Sequence, residues 1–333
     1  MAWIGAPAIR GTLTSAQTQA LEADKPLMVP TNLAEHYQNS AEWRTGGSWA
    51  TGSDDTATGY ATARVFDRFP SVQTKGTTAG TVHYLIFDLD TSTTSSVLGD
   101  AARFDTVAII NHNFGSLTPG AGHHAKVEVE VSNNSNFSSA YTIAERDEIQ
   151  DDRRLIFWSL GAPEGNSYEH YTDIRYLRLK ITMSISTAAP SIGQVILGRR
   201  YQMSQRPNVP YDDQAFTSEV SDFSSTSGIV ARYVRHAGRR KFAPTWNPTG
   251  ADGFGLDDLT TLRDWFENCG YGSKPFLYLD KPHSERETAL TGTTRIGHYC
   301  MASPALNIPA EGPVLRVAAF EFTESAPFVS GES

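Results

Sequence analysis

Histidines, cysteines, paired carboxylates and loop aromatics are the side chains here with chemistry to offer. His298 and Cys300 form an H-x-C, with Cys269 far upstream. Zinc needs a full tetrahedral ligand set at close spacing, and two-residue alternation puts His298 and Cys300 on one strand face, where they read as a packed core pair. His123 and His124 follow Gly120 and Gly122. Such a pair has the chemistry to bind metal or to titrate near neutral pH, but in a glycine-rich turn it reads as exposed loop. Glu145, Asp147, Glu148, Asp151 and Asp152 are interleaved with Arg146, Arg153 and Arg154, which reads as a solvated charged loop. A glycosidase needs two carboxyls facing each other across a sugar, and a run in sequence does not supply that. Asp54, Asp55 and Asp67 fall short of the oxygen ligand set that Ca²⁺ requires. Residues 46–50 (GGSWA) lack the last glycine of a G-x-S-x-G nucleophile elbow, and neither a P-loop nor a dinucleotide fingerprint is present. The expectation is a chain that is not an enzyme, with no catalytic residue, no metal and no cofactor.

What remains is binding chemistry. Trp43, Trp49 and Tyr60 sit among Gly, Ser and Thr. Loop aromatics stack on sugar rings or anchor interfaces; the alternative is burial under a long loop. Asn111, His112 and Asn113 end an apolar run, a good place for ligand contacts at the tip of a sandwich, although polar residues there are also common turn formers. These six are the candidate ligand or interface residues.

The elements that must position them read as strands. A chain of 333 residues makes about two domains. Residues 1–31 are Ala-, Thr- and Pro-rich and read as an N-terminal arm. From 32 to 201, short apolar runs alternate with Ser, Thr, Gly and Asn. Residues 81–88 (TVHYLIFD) are rich in β-branched and aromatic types, and 104–111 (FDTVAIIN) read as a mostly buried strand. Residues 126–131 (KVEVEV) set Val127, Val129 and Val131 against Glu128 and Glu130, and 176–185 place Leu177, Leu179, Ile181 and Met183 inward. Residues 155–160 and 191–198 complete the set, which indicates a sandwich or jelly roll. Residues 202–227 are polar, contain Pro207 and Pro210, and read as a linker.

From 228 to 333 strand patterns at 228–234, 240–246, 274–279, 295–301 and 314–322 surround one helical stretch, about 256–268. There Leu256, Leu259, Leu262, Trp265 and Phe266 recur at helical spacing, Asp257 and Asp258 favour the dipole at its start, and Gly270 stands at the C-cap position. The basic cluster Arg235, His236, Arg239, Arg240 and Lys241, with Gly238 inside it, reads as a solvated hairpin turn.

A net charge of −9 argues against a nucleic-acid surface, which needs clustered cations. Two cysteines cannot build a disulfide framework and suit a reducing compartment. No apolar run reaches the ~20 residues of a membrane span, and residues 1–11 lack the layout of a secretory signal. The chain therefore reads as soluble and unprocessed.

Residues 175–185 (RYLRLKITMSI) and 191–198 (SIGQVILG) resemble the closing strands of the galactose-binding-like, or discoidin-type, jelly roll. Upstream, TVHYLIFDLD, FDTVAIINHNF and KVEVEVSNNSNF resemble that family's elements in order, so the likeness spans residues 32–201. Gln194 stands where the family often has Glu, and no cation site is carried over. Residues 205–326, through VARYVRHAGRRKFAPTW, LTTLRDWFENCG, KPFLYLD and RVAAFEFTES, are similar to tail-tube and distal-tail proteins of tailed bacteriophages, a smaller β-sandwich flanked by one helix. Together the resemblances imply a virion protein of the phage tail, assembled in the host cytoplasm. It would be a ring-forming adaptor, a hexamer or another closed ring, between tail-tube protein and the tail-tip hub. The alternative they imply is a carbohydrate-binding adhesin module recognising a host-surface glycan.

Overall fold

The computed structural model describes residues 2–3, 27–30, 41–44, 55–77, 81–89, 106–115, 125–132, 134–138, 140–149, 154–158, 175–183, 189–198, 201–202, 215–217, 220–224, 230–234, 239–246, 256–279, 298–304, 306, 318–319 and 321–325. The chain is mainly β, built from antiparallel sheets with one α-helix among the described residues. It divides into two compact units, one of residues 1–24, 31–200 and 281–297, the other of residues 25–30, 201–280 and 298–333.

Strands are numbered along the whole chain. The first unit holds β1 (Ala2–Trp3), β3 (Ala41–Arg44), β4 (Thr74–Lys75), β5 (Val82–Asp88), β6 (Thr106–His112), β7 (Ala125–Ser132), β8 (Tyr141–Ile149), β9 (Arg154–Trp158), β10 (Tyr176–Met183) and β11 (Ser191–Gly198). They form two five-stranded sheets, ordered β1-β9-β6-β11-β4 and β3-β5-β10-β7-β8. The inward residues of both sheets make one apolar cluster: Leu85, Phe87, Val127, Val129, Leu177 and Leu179 from one, Val107, Ile109, Val195 and Leu197 from the other. Period-2 alternation places these side chains on the shared face. In β6 and β11 the opposite face is buried as well, through Ala108, Ile110, Gln194 and Ile196, which is why those two strands read as continuous apolar runs rather than as alternating ones.

The seams between the sheets are closed. At one side β1 touches β8; at the other a 3₁₀ turn at Thr62–Phe66 packs on β3, β4 and β11. There the Trp43 indole N–H donates to Thr74 Oγ1 at 3.0 Å, tying β3 to β4.

The outer face of the second sheet is an ionic ladder. Register sets Arg178 opposite Glu130 and Lys180 opposite Glu128, and both pairs are bonded, Lys180–Glu128 at 2.6 Å. Lys126 joins Glu128 at 3.3 Å and Glu145 at 3.1 Å. Burial pushes the Glu128 carboxyl up, but Lys180 and Lys126 outweigh it and the net shift is downward. Burial pushes Lys126 down, but Glu145 and Glu128 carry it above its ordinary value. The Arg178 guanidinium also lies over Phe137 at 4.3 Å and Tyr84 at 4.8 Å. Arg175 grips Asp88 with two bonds of 2.9 Å. Charge on this face is neutralised internally.

The second unit holds β2 (Leu27–Val29), β12 (Tyr201–Gln202), β13 (Ala215–Thr217), β14 (Val220–Ser224), β15 (Val230–Val234), β16 (Arg239–Phe242), β17 (Thr245–Trp246), β18 (Phe276–Leu279), β19 (His298–Ala302), β20 (Ala318–Ala319) and β21 (Phe322–Glu324). Seven strands form one sheet, β12-β2-β18-β19-β21-β16-β13, while β14-β15 and β17-β20 pair only with each other. Helix α1 (Leu256–Asn268) contributes Leu262 and Trp265 to a core with Phe242, Trp246, Phe276, Tyr278 and Phe322. It ends as its sequence predicts. Gly270 takes a left-handed φ of +57°, its N–H bonds Glu267 O at 2.8 Å, and the Tyr271 N–H reaches Phe266 O at 3.0 Å. Those two bonds make a Schellman motif, and the Tyr271 and Phe266 rings, 5.9 Å apart, supply its usual apolar contact.

Three sequence expectations are redrawn. Within the expected arm of residues 1–31, Leu27–Val29 is a strand of the second unit, between β18 and β12. The expected linker of 202–227 contains β13 and β14. The basic cluster falls only partly on described residues: Arg239, Arg240 and Lys241 are in β16, which pairs with β13 and β21, whereas Arg235 and His236 lie outside them. Alongside, β14 pairs with β15.

Candidate functional site

Of the six candidates, the three at the end of β6 turn inward as fasteners. Asn111 adopts a left-handed φ of 54°. Its side-chain amide donates to Pro70 O at 2.6 Å, and its own carbonyl accepts from Gln73 Nε2 at 3.0 Å. The Asn113 amide donates to Ala189 O at 3.3 Å, and its oxygen accepts the Ser191 N–H at 2.8 Å. His112 is buried and stacks on Phe114 with ring centroids 4.3 Å apart. Its Nδ1 accepts the Phe114 N–H at 3.4 Å, which leaves the proton on Nε2, a buried atom without a partner among the described residues. Burial lowers its pKa to about 3. It therefore stays neutral through the physiological range. These three residues hold the chain together; the expectation of ligand contacts at this strand end is corrected.

Trp43 is corrected too. It lies in β3, fully buried in the sandwich core, because its side of the strand faces inward. Trp49 lies outside the described residues, as do His123 and His124. His298 and Cys300 are both buried in the second unit. His298 Nδ1 lies 2.6 Å from Glu324 Oε1, and its ring packs on Phe242.

Tyr60 is different: it is 40% exposed. It belongs to residues 55–77, a segment that includes β4 and the 3₁₀ turn packed on β3, β4 and β11. The Tyr60 carbonyl accepts from Thr74 Oγ1 at 2.9 Å, the same hydroxyl that receives the Trp43 indole. Ala57 N–H bonds Lys75 O at 2.8 Å, and Tyr60 N–H bonds Ala57 O at 2.9 Å. These bonds bring the 3₁₀ turn and β4 together, so that the Arg64 guanidinium and the Lys75 ammonium each lie 5.8 Å from the centre of the Tyr60 ring.

Arg64 also donates to Gln73 O at 3.2 Å, which links this cluster to the neighbouring turn. That turn is rigid. Val72 N–H bonds Phe69 O, Phe69 N–H bonds the Asp67 carboxylate, and Asn111 grips Pro70. Burial raises the Asp67 carboxyl above its ordinary value, against the opposing pull of the Phe69 amide and Arg64. Gly193 of β11 is pressed so closely against the turn that an added Cβ would stand 2.0 Å from Pro70 O. The fixed turn presents Phe69, 65% exposed, and Val72 to solvent.

Sequence reasoning named Tyr60 as a candidate but not the residues around it. Arg64 and Lys75 are brought together only by the fold. Pro70 carries a local signal, since proline punctuates regular structure and biases the residue before it towards extended backbone.

No protein-family model matches the chain, and neither does any curated protein or solved structure. The site is therefore read from its own chemistry. Among the described residues no group of three His, Cys, Asp or Glu side chains is placed to hold a metal ion. No helix there is long and apolar enough to cross a membrane. What the arrangement offers is a pre-set surface of aromatic, apolar and cationic groups.

Proposed function

We propose that this chain is a structural protein of a bacteriophage tail, a ring-forming adaptor between the tail tube and the tail-tip hub. The proposal joins the two sequence resemblances to one structural observation: the hairpin of the second unit. Strands β13 and β16 lie in the seven-stranded sheet, whereas β14 and β15 pair with each other and with no third strand among the described residues. At about 3.3 Å per residue, five paired positions make a ribbon of roughly 17 Å. A two-stranded ribbon is marginal alone in water, and its unpaired N–H and C=O groups are templates for another chain. Pairing or packing with a neighbouring subunit satisfies both needs, and repeated head to tail such a contact closes a ring. The first unit favours a supporting role by contrast. Its seams are covered, and its outer edge strand β8 carries two register shifts and the charged run Glu145, Arg146, Asp147 and Glu148, features that blunt an edge.

Light scattering on the purified chain, alone and mixed with tail-tube protein of the same particle, tests this reading. A closed oligomer or a co-assembly is expected. A monomer that ignores tail-tube protein at all concentrations contradicts it.

A further inference from the structure

Unlike other cations of the first unit, the pair at Tyr60 makes no ion pair among the described residues. In the first unit Arg44, Lys126, Arg175, Arg178 and Lys180 each pair with a carboxylate. Arg64 and Lys75 pair with none among the described residues. Asp67 feels the Arg64 charge, yet its carboxylate accepts the Phe69 amide and makes no ion pair among the described residues. Two positive groups are thus gathered around one exposed ring, on a protein whose net charge is −9. Holding like charges together costs free energy that a bound anion would recover. The frame is fixed before any ligand arrives, through Thr74, Trp43 and the Ala57–Lys75 backbone bond, so little ordering cost remains to be met on binding.

We propose that Tyr60, Arg64 and Lys75 form a binding site for an acidic saccharide, a sugar chain bearing carboxylate or phosphate groups. The ring offers its open surface to the apolar face of a sugar. The guanidinium and ammonium take the anionic oxygens by charge-assisted hydrogen bonds, the guanidinium with two-pronged geometry. A neutral sugar would use only the ring. Single-stranded nucleic acid shares the aromatic and cationic requirements, but its dense charge is repelled by a protein of net charge −9. The site is independent of the assembly role and needs no partner subunit.

The test is calorimetric titration of the full chain with tetragalacturonate, a phosphorylated oligomannose, maltotetraose and a short oligothymidylate. Binding of at least one of the two acidic saccharides is expected, weakening as salt is raised, with maltotetraose and oligothymidylate bound at least about tenfold more weakly. Tyr60→Ala and Lys75→Gln should each weaken the bound acidic saccharide about tenfold or more while leaving the thermal transition in place. Lys75→Arg, which keeps the charge, should retain binding. The carboxylate and phosphate arms say which anion is preferred. No binding of either acidic saccharide, equal binding of maltotetraose, preference for oligothymidylate, or variants that bind like wild type would each overturn the proposal. Oligomerisation of the same variants, followed in parallel, reports on the ring separately.

Discussion

His112 makes a sharp test of the packing at the end of β6. Its imidazole is buried with a pKa lowered to about 3, whereas an unfolded chain returns it to the ordinary value of 6.5. A folded value below the unfolded one means that the neutral form is what the fold holds. The contribution is whole above pH 6.5 and drains away as pH falls towards 3, because only the unfolded chain takes up the proton. At pH 7 an unfolded His112 is about one-quarter protonated, and at pH 5 almost fully. Integrated over that interval, the native state loses about 2 kcal/mol, with a limiting slope of about 1.4 kcal/mol per pH unit. The measurement is urea unfolding of wild type and His112→Gln at pH 7, 6 and 5, read by tryptophan fluorescence and circular dichroism. Other groups contribute equally to both proteins, so the difference in slope isolates His112. If the variant is too weak to compare, the imidazole resonances of wild type decide, since they should not move between pH 8 and 5. Parallel pH profiles for the two proteins, or an imidazole that titrates near 6.5, would refute the reasoning.

Other outcomes follow from the same contacts. Gly193→Ala drives a methyl group into Pro70 O, so it should displace the Phe69–Val72 turn and cost about 1–3 kcal/mol or more in unfolding free energy. Gly270→Ala forces a side chain into a left-handed position at the end of α1, where Ser273 also crowds it; a loss of about 1–2 kcal/mol, seen in the transition of the second unit, is expected. The Cys269 thiol is pushed up to about 12 by burial, and Cys300 is buried as well. Neither should react with a thiol reagent in the native protein at pH 8, and both should react in urea.

Much of the architecture was legible because it is local. The alternation in KVEVEV and YLRLKITM placed Val127, Val129, Leu177 and Leu179 on the core side, where they are found. The apolar spacing and the glycine after it located Leu256–Asn268 and its Schellman end. What alternation does not contain is register. It put Glu128 and Glu130 on the outer face without revealing that Lys180 and Arg178 stand opposite them, because that depends on pairing residues distant in sequence. Leu27–Val29 was read as part of an arm for the same reason, since its partners come from Leu277–Leu279 and Tyr201–Gln202. The polar composition of 202–227 concealed one leg of a hairpin whose other leg begins at Val230. Trp43 was misjudged because Gly, Ser and Thr around it suggested a loop, while its own strand turns it inward. The cationic pair at Tyr60 is a product of tertiary folding, with no signal in the spacing of its residues.

The proposed ring depends on β14 and β15 serving a neighbouring subunit. Hydrogen exchange of the amides in Val220–Ser224 and Val230–Val234, compared between the assembled particle and the isolated chain, tests it most directly. In an antiparallel ribbon with no third strand, alternate amides point away from the partner strand. Assembly should slow those outward amides by orders of magnitude while the amides of β7 and β10 in the first unit stay as they were. Unchanged exchange along the ribbon in the assembled state would contradict the account.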